Sequence, residues 1–341
     1  MKTIVCPDSF KGTMTSAEAA EAIAAGLRRR HPEMEMGILP IGDGGEGTAD
    51  ALSLALPRVE RVECPTVDPL RRPMTARYSI ADGKTALIES AAAGGLTLVE
   101  PRDRDIMRAD TYGTGLLIAD AYRRGIREFI ICMGGTATCD GGTGAYEAMK
   151  DTVKPGEADF TLLCDVSNPL CGPNGAAAVF APQKGATAAQ IVDLERRLYA
   201  LYGDEIRTAR HAGAAGGLAA MLMARYGARP VAGIAKVLEL LGFERHLQDA
   251  DLVVTGEGRA DKTTLDGKAA KGILDICQSH GVPVALIAGK VADRERLLEA
   301  GFSEIVQATP DAADPAVTPA TYLTRAVENL DYSGTQAIRL R

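Results

Sequence analysis

No C-x-x-C pair occurs in this chain of 341 residues, and its seven cysteines, at positions 6, 64, 132, 139, 164, 171 and 277, are odd in number. With only four scattered histidines, the patterns that hold zinc are missing. Several of the cysteines end apolar runs, as small buried residues do, so reduced thiols in a cytoplasmic protein are expected. No run of Lys or Arg exceeds Arg28–Arg30 and the formal net charge is −7. Nucleic acid and anionic membranes are therefore disfavoured as partners. Apolar segments stop at strand length, too short to span a bilayer. The opening MKTIVCPDSF meets a proline and an aspartate after three apolar residues, unlike a secretory leader. Internal repeats, low-complexity tracts and long linkers are also missing.

What is present is glycine, 37 residues of it, in a chain long enough for two domains with an ordinary 46% of hydrophobic residues. The stretch Phe129–Gly144, FIICMGGTATCDGGTG, reads as a strand, a glycine loop and a helix from about Ala145. Gly134, Gly135, Thr136, Thr138 and Asp140 make this loop a candidate for close approach to an anionic ligand. It lacks the P-loop spacing G-x-x-x-x-G-K-[ST]. A tight strand-to-helix turn accounts for the same glycines, so the loop alone decides nothing.

Lys2–Cys6 reads as a short strand, followed by the loop PDSFKG and a helix opened by a Thr15/Glu18 capping box. Strand Gly37–Ile41 leads into GDGGEG and a helix over about 46–56. Far downstream, strand Asp251–Thr255 is expected to end in the loop GEGRADKTTLDG before a helix over 268–279, with further strands at Val282–Ala288 and Glu304–Ala308. Alternating strands and helices of this length predict parallel βαβ units, which place ligands outside the carboxyl ends of their strands. PDSFKG, GDGGEG and GEGRAD then emerge along one edge. That edge collects Asp8, Lys11, Asp43, Glu46, Glu257, Arg259 and Asp261. Any one of them could be a solvated loop residue; acids and bases from three loops in one crevice suggest a binding site.

Residues 62–245 read differently. Short strands at Val62–Cys64, Met74–Ile80 and Ala86–Glu89 turn at Asp68-Pro69 and Asp82-Gly83, and strand Leu162–Val166 follows the glycine loop. Ala177–Phe180 reads as strand-like, and helices are predicted over 188–202, 218–224 and 231–241. The expected architecture is α/β: a flavodoxin-like parallel-sheet domain (residues 1–61 and 246–341) carrying a second, mixed-sheet α/β domain (62–245) as an insertion. Clefts between such domains are common sites of catalysis. The segment CDVSNPLCGPNGAAAVFAPQKG adds Asp165 at a strand end, Asn168 and Asn174 beside prolines, and Gln183-Lys184 before a glycine. A carboxylate that accepts a hydroxyl proton or holds Mg²⁺, with a lysine that neutralises phosphate oxygens, is the equipment of phosphoryl transfer. HAGAAGGLAA (211–220) is a further glycine-rich helix start, explained equally by helix packing.

In order along the chain, PDSFKGT, GDGGEGT, GGTATCDGG, CDVSNPLCGPNGA, PQKGA, GAAGGL and TGEGRAD-KTTLDGK resemble the class I glycerate kinase family. The resemblance implies ATP- and Mg²⁺-dependent phosphorylation of D-glycerate to a phosphoglycerate, with 2-phosphoglycerate favoured, in the cleft between the two domains. It departs at Cys139, where relatives usually carry Asn, at Asp266, where they usually carry His, and in the short segment Lys150–Phe160. Lys11 and Lys184 are the expected cations, with Arg259 and Lys268 as weaker candidates. Asp43 and Glu46 are the expected metal environment. Asp8 and Asp165 compete for the role of base. Asp165 is favoured because Asn168 and Asn174 can hydrogen-bond a polyhydroxy acid, whereas Asp8 sits beside Ser9 and Lys11, a setting for phosphate. Domain closure would then carry the hydroxyl to ATP. A kinase of another small hydroxy acid and a non-catalytic sugar-acid or nucleotide sensor are the alternatives, and a homodimer is left open.

Overall fold

Short apolar strands alternate with helices to build two separate sheets in the computed structural model, which describes residues 1–265, 267–328 and 330. In chain order the strands are β1 (Lys2–Val5), β2 (Glu35–Ile38), β3 (Val59–Val67), β4 (Pro73–Ala81), β5 (Thr85–Glu89), β6 (Glu128–Cys132), β7 (Asp159–Cys164), β8 (Arg229–Ala232), β9 (Leu252–Ala260), β10 (Val284–Val291) and β11 (Glu304–Gln307). Asp266, one of the departures noted above, lies outside the described residues.

The first sheet has the order β11-β10-β9-β1-β2 and is parallel throughout. Its inner strands are buried on both faces, so Ile4, Val5, Val253, Val254 and Leu286 form continuous apolar runs instead of alternating ones. The expected capping box holds: Thr15 and Glu18 bond each other's backbone N–H at the start of helix Ser16–Arg30. That helix packs against helix Pro319–Val327, where the Thr324 hydroxyl donates to Ala22 O at 2.9 Å. From β1 the chain steps outward to β2, and from β9 it steps the other way to β10 and β11. The order therefore reverses between β1 and β9, the place where open parallel sheets bind ligands.

The second sheet, β3-β4-β5-β6-β7-β8, is antiparallel from β3 to β5 and parallel from there on. The turn predicted at Asp82-Gly83 joins β4 to β5, both residues having positive φ. Phe129 and Phe160 stack at 4.7 Å in the core of this sheet. These two sheets are the mixed α/β architecture expected from the sequence. By their internal contacts, Met1–Asp43, Asp50–Ala55 and the described residues from Ile234 on form one unit, and Gly44–Ala49 with Leu56–Gly233 form the other.

Three expectations need correction. Ala177–Phe180 is helical, part of a helix Ala176–Phe180 that buries Ala176 and Ala177 among Leu170, Leu194 and Leu198. A five-residue apolar run has no readable period, and three alanines prefer the helix. The predicted helix over 231–241 is preceded by edge strand β8, whose Pro230 pairs with Leu162, and starts only at Gly233. Finally, GEGRA is not loop: β9 continues through it, pairing Glu257 with Ala288 and Arg259 with Lys290.

Candidate functional site

Parallel strands present their carboxyl ends along one rim of the sheet. In the first unit these ends surround a cavity of about 460 Å³. Asp8 and Ser9 follow β1, Lys11 belongs to the tight turn after them, Asp43 follows β2, and Glu257 and Arg259 lie on the end of β9. Lys268, the residue before helix Ala269–Ser279, also lines it. Seven of the sequence-predicted site residues are thus brought together. Asp261 does not line the cavity: its carboxylate accepts from Thr263 N and Oγ1 and from Arg259 Nε.

The electrostatics of the cavity follow from burial. Asp8 is 7% exposed, and its Oδ1 accepts from Ser9 N at 2.7 Å. Desolvation, with the charges of Asp43 and Glu257 adding to it, pushes its pKa up from 3.8 to about 7. Burial also raises the Glu257 carboxyl. Glu257 Oε1 is fully shielded, and the Thr264 side chain and the charge of Lys268 partly offset the rise. Lys11 Nζ stands 3.5 Å from Asp43 Oδ2, with the lysine largely exposed and the aspartate buried. Lys268 Nζ donates to Thr263 Oγ1 at 2.8 Å.

Asp43 and Glu46, expected to share a metal, are divided between the two units. Glu46 is exposed, and its carboxylate lies against the backbone of Gly135, where an added Cβ would come within 2.7 Å of Oε2. Among the described residues no three of His, Cys, Asp and Glu are grouped so as to hold a metal ion by themselves.

In the second unit the glycine loop is organised around a lysine. Lys184 is 6% exposed; its amine donates to Thr138 O at 2.7 Å and Thr136 Oγ1 at 3.2 Å. Burial lowers its pKa to about 8. Thr138 Oγ1 is buried with no partner among the described residues. Asp140 serves the structure of the loop. Its carboxylate accepts from Thr111 N and Oγ1, Gly142 N and Gly144 N, tying the loop to the starts of helices Tyr112–Arg123 and Thr143–Met149. The carbonyl of Gly134 accepts from Ser90 Oγ and that of Gly135 from Leu96 N. Asn168 Nδ2 donates to Asn174 O at 2.8 Å, joining the two predicted asparagines. Asp165, Asn174 and Gln183 are exposed.

GAAGGL also has a visible purpose. Ala215, Gly216 and Gly217 all adopt left-handed conformations, and Gly216 O accepts from Gly141 N. A Cβ on Gly216 would meet Thr138 O at 2.0 Å. The segment is therefore a backbone support for the glycine loop. Sequence reading missed Phe10, Met14, Lys290, Ala308, Thr309 and Leu323 in the cavity wall. Lys290 had a signal: it follows Gly289 after a strand, the pattern that picked out the other loops. Phe10 lies inside the motif PDSFKG, where an apolar residue among polar ones gives no sign of its place in the wall; Met14, Ala308, Thr309 and Leu323 carry no signal.

A family model described as the glycerate kinase family matches residues 3–154 and 149–340. The chain is 38% identical over 330 residues to the glycerate 2-kinase of Escherichia coli K12, with 86% of each chain covered. It is 36% identical over 376 residues to the glycerate kinase of Halalkalibacterium halodurans, covering 99% of this chain and 97% of that protein. A crystal structure described as a glycerate kinase 2 from Salmonella typhimurium LT2 superposes with a TM-score of 0.81 at 33% identity, each chain covered in full.

Proposed function

The chain belongs to the glycerate kinase family, phosphotransferases with an alcohol acceptor, and from that premise we propose that it phosphorylates D-glycerate from ATP, giving 2-phosphoglycerate. The observation that carries the reading to this chain's own residues is the buried carboxylate of Asp8 among the cations of the rim cavity. A sugar-acid hydroxyl is a poor nucleophile at neutral pH, and a carboxyl with a pKa near 7 is well matched to taking its proton. The hydroxyl oxygen forms its bond to the terminal phosphorus, the bond to the ADP oxygen breaks, and the proton passes to Asp8. Lys11 and Lys268 lie where they can neutralise phosphate oxygens. The exposure of Asp165 and the burial of Asp8 support Asp8 for this role over the residue the sequence favours.

Asp43 and Glu257 line the same cavity as Asp8, and their carboxylates are the hard oxygen donors that would hold Mg²⁺ there, only together with water and substrate oxygens because no three such groups cluster among the described residues. Bound there, Mg²⁺ would supply charge neutralisation on the transferring phosphate. Asp43→Asn is accordingly expected to move the Mg²⁺ concentration for half-maximal rate upward by about tenfold or more, the factor that 1.4 kcal/mol represents. An unchanged Mg²⁺ requirement would leave Asp43 as no more than a partner of Lys11.

Lys184 is proposed as the anion anchor of the second unit. Lys184→Met should lower turnover at least about tenfold, roughly 1.4 kcal/mol of transition-state stabilisation. Wild-type rates would remove it from the machinery. Release of ADP with D-glycerate against a panel of other hydroxy acids tests the substrate, and phosphorus NMR of the product tests the position of phosphorylation. Binding of both ligands without turnover would favour a sensor.

A further inference from the structure

The rim cavity changes character along the strand order. At its β1 and β9 end stand Asp8, Lys11, Glu257 and Lys268. At its β11 end the wall is made of Ala308, Thr309, Pro319 and Leu323, none of them charged. Lys290, a cation of the lining near that end, donates to Pro310 O at 2.9 Å and to Asp311 Oδ1 at 3.0 Å, so its charge is already answered. Phe10 covers the glycines of β9 between the two ends: a Cβ on Gly256 would touch its ring at 3.4 Å, and one on Gly258 would meet its Cα at 3.5 Å.

From β11 to β1 there are three strand spacings, about 14 Å at ~4.8 Å each. That is the scale of an extended nucleoside triphosphate, an apolar disc at one end and a polyanion at the other. We propose that the nucleotide lies lengthwise along the carboxyl edge of the five-stranded sheet, its base and ribose against Ala308, Thr309 and Pro319 and its phosphates toward Lys11 and Lys268. The assignment rests on the kinase reading and adds to it which sheet holds the nucleotide and in which direction. It puts the terminal phosphate beside Asp8, at the point where strand order reverses, and leaves the acceptor to approach from the charged end.

The test separates base from phosphate with two probes, ADP and inorganic tripolyphosphate, titrated calorimetrically against the full chain. Thr309→Trp fills the uncharged end. It should weaken ADP by about tenfold or more while leaving tripolyphosphate within about twofold, the former being the change that 1.4 kcal/mol represents. Lys268→Met should weaken both probes. Pro319→Trp, at an exposed position of the first helical turn, is the second variant should Thr309→Trp melt early by circular dichroism, and it should shift ADP in the same sense. If Thr309→Trp and Pro319→Trp both bind ADP as the wild type does, or if tripolyphosphate weakens as much as ADP, the lengthwise placement is wrong. The kinase reading stands or falls separately, on whether the wild-type protein turns over ATP with D-glycerate.

Discussion

Asp8→Asn should lower kcat for D-glycerate by about 10²–10⁴-fold, the range removed with a positioned general base, and change the KM for ATP far less. The amide preserves shape and the hydrogen bond from Ser9 N but cannot accept a proton. In the wild type, kcat/KM should rise with pH and level off above about 7, because the base must be ionised and burial holds its proton on. The inflection belongs to a coupled site, since the neighbouring carboxylate of Asp43 disfavours the charge on Asp8. Stability should move oppositely. The folded-state pKa lies above the unfolded value of 3.8, so the native protein holds more protons between there and about 7 and loses stability as pH rises through that window. Asp8→Asn removes that cost. Its urea midpoint should exceed the wild type's at pH 8, with the advantage shrinking toward pH 4. Normal kcat in Asp8→Asn alongside a collapsed kcat in Asp165→Asn would reverse the two roles.

Gly216→Ala is expected to lose both fold stability and activity. The new Cβ would lie 2.0 Å from Thr138 O and 2.7 Å from Thr138 C, and both belong to backbone that cannot swing aside. Residue 216 also has φ of +66°, which costs an L-residue roughly 1–2 kcal/mol. Overpacking adds about 1–3 kcal/mol, giving a loss of roughly 2–5 kcal/mol. Thr138 O is the stronger of the two acceptors holding the Lys184 amine, so any shift of the glycine loop also releases that lysine. Gly227→Ala is the matched control. Its φ is likewise +66°, but nothing lies within 4 Å of its added Cβ, so it suffers only the backbone strain. Urea melts of the two variants therefore isolate the collision between loops. Equal midpoints would mean that GAAGGL yields, and that Gly216 is not the support assigned to it.

Much of this molecule is written locally. The Thr15/Glu18 box specifies a helix start from four residues, and the Asp82-Gly83 pair specifies a hairpin, because each motif satisfies its own backbone groups. The alternation of strand and helix was enough to place PDSFKG, part of GDGGEG and GEGRA on one rim, since parallel strands must all end on the same side. Local pattern fails where the deciding partner is distant in sequence. Residues 256–260 look like a glycine loop, and it is pairing with β10 that makes them strand. Residues 177–180 look like a strand, and it is Leu170, Leu194 and Leu198 that bury them as a helix. The same holds for the chemistry. Asp8 and Asp165 both follow a short apolar strand, and Asp43 and Glu46 share one loop, so sequence spacing cannot rank either pair. Desolvation ranks them: packing from several strand ends shuts water away from Asp8 and Asp43 and leaves Asp165 and Glu46 exposed. The sequence by itself determined which residue types the rim would carry. Only the tertiary structure decided which of them lose their water, and the raised proton affinity of Asp8 follows from that loss.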